Sequence, residues 1–324
     1  MALEVLKPGL QTTVQDEGRV GTYAAGLPPS GALDKHAYRI GNLLVGNPAG
    51  AAGLEMTYLG AELRFTEPAV FAVTGAEMAP KLAGEPIETW RSYAAQADDV
   101  LSFGYLSEGA RAYLSVAGGI DVPEYESSRS TYTLVGLGGF EGRALAAGDT
   151  LPVGNSAQGT PDRAVPEKLR PTYARDPEAR VVVGLASYRL EPESLQALFD
   201  TTWTVTPDAN RVGYRYRGAE LHFIDREPPP GAGSDPSNVV DFGYPIGSIQ
   251  VPGGIEPICL LADAVTGGGY ATVATVISVD LDVLGQSKSN DPTRFTEVTL
   301  DKALDARHRR RAELDQIADA IHAR

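Results

Sequence analysis

Glycine and proline interrupt this chain so often that long helices have little room. The 324 residues include 36 glycines and 23 prolines, and each tends to end or kink regular structure. Between them lie short apolar runs. Ala69-Val70-Phe71-Ala72-Val73 is closed by Thr74-Gly75, and Ala112-Tyr113-Leu114-Ser115-Val116-Ala117 by Gly118-Gly119. Runs of this length bounded by glycine turns fit strands better than helices. Arg180–Gly184, Trp203–Val205 and Glu220–Ile224 read the same way. With 43% apolar residues the chain is expected to be globular, turn-rich and mainly β.

Only three segments carry helical spacing. Ser30 is placed to cap a helix over Leu33–Leu44, with Asp34 in its first turn and Ala37, Ile40 and Leu44 on one side. A second helix is expected over Glu191–Phe199. The third runs from Leu300 to the end, with Leu304, Leu314, Ile317 and Ile321 as its apolar positions. Its basic run, Arg307-His308-Arg309-Arg310-Arg311, is offset by Asp305, Glu313, Asp315 and Asp319, so it reads as a solvated helix face.

The prolines at 152, 161, 166, 171 and 177, with little periodicity between them, read as a linker over residues 152–178. It separates an N-terminal β subdomain, 1–151, from a C-terminal one, 179–324. The run Pro228-Pro229-Pro230-Gly231 is expected to be an exposed loop. No residue-level internal repeat is apparent.

Charge and cysteine usage narrow the partners. Lys and Arg number 28 against 42 Asp and Glu, a net charge of −14, and such a surface repels a phosphate backbone, so nucleic acid is not expected as a partner. Cys259, the single cysteine, excludes an internal disulfide and cysteine-based metal sites; it lies in the apolar run Pro257–Leu261 and is expected to be buried and inert. Four histidines lack metal-pair spacing, so no metal site is expected. The start has no basic n-region, and the apolar stretch 264–279 is broken by three glycines. No membrane partner is expected, and the location is expected to be cytoplasmic.

The glycine clusters are the chemically suggestive feature. Gly118-Gly119, Gly136-Leu137-Gly138-Gly139 and Gly267-Gly268-Gly269 expose main-chain amides that can line up on an anion. Arg129 and Arg143, near the second cluster, could add a bidentate fork for carboxylate or phosphate. The same glycines could equally serve tight turns, and the arginines surface ion pairs. There is no G-x-x-x-x-G-K-[ST] loop, no G-x-S-x-G elbow and no readable triad.

A series of ordered blocks carries a resemblance. Gly9-Leu10-Gln11-Thr12-Thr13-Val14-Gln15-Asp16-Glu17-Gly18-Arg19 leads to Ser30-Gly31-Ala32-Leu33-Asp34, and Asn42–Asn47 to Leu54-Glu55. Ala117–Pro123, Ser128-Arg129-Ser130-Thr131 and Gly138–Arg143 follow. Beyond the linker stand Asn210–Arg215, Gly247–Pro252, Leu261-Ala262-Asp263, Gly268-Gly269-Tyr270 and Ala274–Ile277. Across nearly its whole length the chain resembles the family called allophanate hydrolase subunit 2, or carboxyltransferase A/B-subdomain, whose members include the C-type subunit of 5-oxoprolinase and the sporulation regulator KipA.

That resemblance implies two cyclophilin-like β-barrel subdomains with few short helices and a C-terminal helix. It implies an enzyme component that acts only in a complex, as an ATP-dependent cyclic amide hydrolase opening 5-oxo-L-proline to L-glutamate. The implied partners are a B-type (KipI-like) subunit, an A-type subunit and a small-molecule amide; ATP with Mg is the implied cofactor, and no biotin is attached to this chain. Two other roles stay open: a carboxyltransferase component of a biotin-dependent urea or amide carboxylase, and a non-catalytic KipA-like regulator. The implied catalytic residues are Asp16, Arg129 and Asp263. The implied substrate- or nucleotide-binding residues are Gln15, Arg19, Arg143, Gln250, Gly268, Gly269 and Tyr270. One departure stands out. The family's last motif usually reads Asp-x-Gln-Thr-Thr-Gly-Gly-Tyr, whereas Asp263–Tyr270 places Val265 and Gly267 where an amide and a hydroxyl are usual.

Overall fold

A computed structural model describes residues 1–155, 159–227 and 229–322. The chain is mainly β and divides into two compact units. One holds residues up to Val20, Ser30–Tyr173 and the chain from Arg311; the other holds Gly21–Pro29 and Ala174–Arg310.

The N-terminal unit builds two antiparallel sheets of six and five strands. The five-stranded sheet has Glu108–Val116 at its centre, flanked by Gly53–Thr57 and Ala69–Glu77. These strands carry near-continuous apolar runs because both faces are covered, and successive side chains alternate between them. Phe71, Val73, Ala112 and Leu114 point into one core with Leu3, Val5 and Phe65 from the other sheet. Ala72 and Tyr113 point the opposite way, against helix α1 (Lys35–Val45). Helix α1 presents Ala37, Ile40 and Leu44 to that second core, all fully buried. Each large side chain so buried contributes about 1.5–3 kcal/mol. Truncating Leu44 to Ala would cost about 2–5 kcal/mol.

The helix is capped by Asp34, not by Ser30. The Asp34 carboxylate accepts from the Ala37 amide at 2.9 Å, whereas Ser30 is buried in a left-handed conformation, φ 55°, one turn too early to reach.

The C-terminal unit closes into a seven-stranded barrel. Its order is Glu178–Val183, Thr272–Val276, Ser248–Gln250, Ile258–Leu260, Gly213–Arg217, Trp203–Ala209 and Pro292–Glu297. The last pairs in parallel with the first, so no sheet edge is left open. Trp203, Tyr214, Tyr216 and Phe295 are buried here, and the Tyr216 and Phe295 rings meet edge-on at 5.4 Å. Glu220–Ile224, expected as a strand, makes only a single bridge, Leu190 with Phe223. Helix α2 (Pro192–Asp200) lies where helical spacing places one, with proline in its first turn. The short helix α3 (Leu281–Gly285) carries no such spacing, and α4 (Leu300–His322) closes the described chain. A separate two-stranded antiparallel sheet, Asn238–Gly243 with Gly267–Tyr270, belongs to the same unit.

The proline-rich stretch is held through Tyr173 within the N-terminal unit. Ser92 donates its amide to the Arg163 carbonyl at 2.8 Å, Val165 donates to Trp90 at 3.0 Å, and Val165 is buried. Residues 156–158 of that stretch and Pro228 of the expected loop lie outside the described residues. Among the described residues, no helix is long and apolar enough to cross a membrane.

Candidate functional site

Two polar clusters collect most of the residues singled out by the sequence, one in each unit. In the N-terminal unit the strand Gln11–Gln15 delivers Gln15 and Asp16 against the turn Ser128–Thr131. Asp16 is buried, and its carboxylate binds the turn tightly. Oδ1 accepts from the Gly18 amide at 2.8 Å, from the Ser128 hydroxyl at 2.7 Å and from Ser130 Oγ; Oδ2 accepts from the Arg129 amide at 2.5 Å. Charge-assisted bonds of this kind are about twice as strong as neutral ones. The carboxylate is therefore committed to holding this loop. Gln15 does parallel work: Nε2 donates to the Thr131 carbonyl at 3.1 Å and to Thr13 Oγ1 at 3.0 Å, while Oε1 accepts from the Gly31 amide at 3.1 Å.

Arg19, fully buried, donates to the Ser130 carbonyl and lies 5.8 Å from the Tyr125 ring centroid. The glycine cluster explains how it fits. A Cβ at Gly138 would sit 2.2 Å from the Ser130 carbonyl oxygen, and one at Gly139 would sit 1.9 Å from Thr131 Oγ1. Both residues also have positive φ. These glycines make room for protein atoms and are not an open cradle.

Arg129 spends its guanidinium locally, on the Val122 carbonyl at 2.8 Å, Glu124 at 2.6 Å and Asp121 at 3.4 Å. Arg143 forms a bidentate pair with Asp149 at 2.7 and 2.9 Å and reaches Glu141 at 2.6 Å. Its hydrogen bond to Asp149 holds that carboxyl below its ordinary value. Arg143 thus clasps its own turn and is committed there instead of to Asp16.

Beside this loop lies a second buried group. Glu55 accepts from the Leu33 amide at 2.9 Å and the Tyr113 hydroxyl at 2.8 Å, with Arg111 3.6 Å away. Tyr113 in turn accepts from the Asp34 amide, and Tyr173 donates to the Asp34 carboxylate at 2.9 Å. Burial, then the charges of Glu55 and Asp34, raise the Tyr113 phenol well above its ordinary value, so it stays a donor. Of this group the sequence marked Asp34, in the first turn of the predicted helix, and Glu55, in the block Leu54-Glu55.

In the C-terminal unit Asp263 and Arg211 form a buried bidentate pair, 2.8 and 3.1 Å. Gln250 stands apart from that pair, on the strand facing Thr272. Gln250 is 4% exposed and lies beside the Tyr244 hydroxyl. Its Nε2 and the Thr272 hydroxyl have no partner in hydrogen-bonding geometry. The Tyr244 hydroxyl accepts from the Tyr270 amide at 2.6 Å and donates to its carbonyl at 2.9 Å, which ties it to the end of the two-stranded sheet. A Cβ at Gly268 would meet the Tyr244 ring at 3.0 Å, and Gly269 faces Val239. Gln250, Gly268, Gly269 and Tyr270 are thus gathered around Tyr244, a residue that no sequence signal marks. At the two departures, Val265 is half exposed and Gly267 sits in the two-stranded sheet opposite Gly243. Among the described residues, no group of three or more His, Cys, Asp or Glu could hold a metal ion.

Residues 25–297 match the family model for the carboxyltransferase domain, subdomains A and B. The chain belongs to this carboxyltransferase A/B-subdomain family. It is 35% identical over 321 residues to the C-type subunit of 5-oxoprolinase from Escherichia coli (strain K12), covering 99% of both chains. It is 34% identical over 331 residues to urea amidolyase of Lachancea kluyveri, of which it spans 18%. In structure it matches Kluyveromyces lactis urea carboxylase with a TM-score of 0.92 at 34% identity, covering 98% of this chain and 29% of that one. Its relatives are thus multi-subunit 5-oxoprolinase components and domains of much longer urea enzymes.

Proposed function

We propose that the chain is a subunit of an ATP-dependent 5-oxoprolinase-type amidohydrolase, opening 5-oxo-L-proline to L-glutamate in complex with a B-type, KipI-like subunit and an A-type subunit. The observation that carries this reading is the match to the C-type subunit of 5-oxoprolinase, which spans 99% of both chains. A lactam is a stable amide, so its opening calls for activation of the carbonyl. The unpartnered amide of Gln250 and hydroxyl of Thr272 are donors suited to a substrate carbonyl, because a buried donor without a partner costs about 1–3 kcal/mol that such an acceptor returns.

Two of the arginines and one glycine turn singled out in the sequence are already taken up by the protein's own groups. Arg129 and Arg143 are engaged by carboxylates of this chain, and Gly138 and Gly139 abut Arg19, Ser130 and Thr131. No step through ATP is assigned to them. ATP with Mg is, in this reading, a requirement of the assembled complex. The test is glutamate release from 5-oxo-L-proline with ATP, using the chain alone, with its B-type partner, and with both partners. Release confined to the complete mixture supports the proposal; a stable complex that releases none rejects it.

A second reading, a carboxyltransferase component acting on urea or a similar amide, draws on the TM-score of 0.92 to urea carboxylase. It predicts transfer of labelled carboxyl from a separate biotinylated carrier to urea, which the first reading does not.

A further inference from the structure

Helix α4 carries a face that its own barrel leaves uncovered. At the start of the helix Ala303 and Ala306 pack toward Ile277 and Val279. Leu300 and Leu304 do not: they lie one helical turn apart and are 63% and 45% exposed. Beside them a groove of about 310 Å³ runs along the barrel, with Val182, Ile277, Leu300, Ala303, Leu304 and Arg307 among its lining residues. A single exposed leucine is ordinary surface, whereas two that border an apolar groove extend it into one patch.

The charges on this stretch are sorted by position. Glu297, Asp301 and Asp305 accompany the leucines, with Lys302 the one base among them, and Arg307, His308 and Arg309 follow; all are exposed. Arg310 is paired with Asp282. Glu297, Asp301, Asp305, Arg307 and Arg309 make no ion pair among the described residues. A segment acidic at one end and basic at the other complements its own copy turned end for end. A two-fold axis near Leu304 brings that residue onto Leu304 of a second copy and sets Arg307 opposite the copy's Asp301, and the symmetry repeats each contact. A parallel arrangement would set like charges together. The whole chain carries a net −14, so two copies repel at long range and need a locally complementary surface to meet.

We propose that the exposed face of α4 over residues 300–309, with the groove beside it, is a two-fold interface with a second copy of this chain, the two helices antiparallel and the leucines of each copy seated against the groove of the other. One helical segment and a groove make a small interface, below the roughly 1,200 Å² of stable pairs, so the dimer is reversible, with a dissociation constant on the order of 1–100 μM. The inference does not depend on the function proposed above, because it concerns the chain alone.

The test is sedimentation velocity on the full chain from about 1 μM to about 1 mM. Wild type should pass reversibly from monomer to dimer across that range. Leu304→Asp, its fold checked by circular dichroism, should weaken the dimer by about tenfold or more, since the two-fold axis counts each substitution twice. Arg307→Asp and Asp301→Arg should each weaken it, and the variant carrying both should recover, a result that a misfolded protein cannot give. Should Leu304→Asp fail to fold, this charge exchange decides. A monomer at every concentration, a dimer that Leu304→Asp leaves unchanged, or a double charge variant no better than the single ones overturns the proposal. So does a chain that stays monomeric alone but loses a B-type partner on Leu304→Asp, because the face would then belong to that subunit.

Discussion

Replacing Asp263 with Ala tests whether this residue, singled out in the sequence as catalytic, first serves the fold. Its carboxylate and the Arg211 guanidinium are 3% and 4% exposed and joined by two bonds of 2.8 and 3.1 Å. Truncation leaves a buried guanidinium without its anion. Removing one partner of such a pair costs about 3–5 kcal/mol, far above the ~0–1 kcal/mol of a surface pair. At about 2–4 °C per kcal/mol, the midpoint of the C-terminal unit should fall by roughly 6–20 °C in thermal unfolding. Replacing both partners with apolar residues, Asp263→Leu with Arg211→Met, should recover most of that loss, because the penalty lies in the orphaned charge. An Asp263→Ala protein that unfolds within about 1 kcal/mol of wild type would refute this reasoning and return Asp263 to the catalytic candidates.

Three further outcomes are expected. Gly138→Ala should unfold or lose several °C, because its Cβ would collide with Ser130 and its φ is +64°; a wild-type midpoint would show that the turn can move. Asp149, whose folded pKa is held down by Arg143, stabilises the fold above its unfolded value near 3.8 and loses that contribution as the pH drops below it. Midpoints of Asp149→Asn and wild type should therefore differ at neutral pH and converge toward pH 2, and a pH-independent gap would contradict the pairing. Cys259 is buried with its thiol pushed up to about 12. It should resist a disulfide reagent at pH 8 in the native protein and react on unfolding; rapid native labelling would contradict its burial.

What the sequence made legible follows from local physics. Ala69–Val73 and Ala112–Ala117 read as strands because they are continuous apolar runs ended by glycine, and they stand in the sheet covered on both faces. The α4 helix was legible from the spacing of its apolar positions: Ile317 and Ile321 are buried together against α1, whereas Leu304 is exposed. Local signals misled where two could serve the same end. Ser30 and Asp34 are both capping residues, and only main-chain geometry selects Asp34. Glu220–Ile224 has strand composition, but its neighbours offer it a single bridge. Pairings between distant residues left no trace. Arg211 and Asp263 lie 52 positions apart, and Asp16 meets Ser128 across 112. Tyr244 and Thr272 stand in no recognisable motif, yet they surround Gln250. That Arg189 is buried on the carbonyls of Pro236 and Asn238 could not be foreseen, because such a setting is a property of the folded surroundings.

The most direct test of the central reading is an omission experiment. Glutamate release from 5-oxo-L-proline with ATP would be measured for the A- and B-type subunits with and without this chain. Release coupled to ADP formation is expected only when the chain is present. Equal release in its absence, or none in its presence from a complex shown to be assembled, would contradict the proposed function.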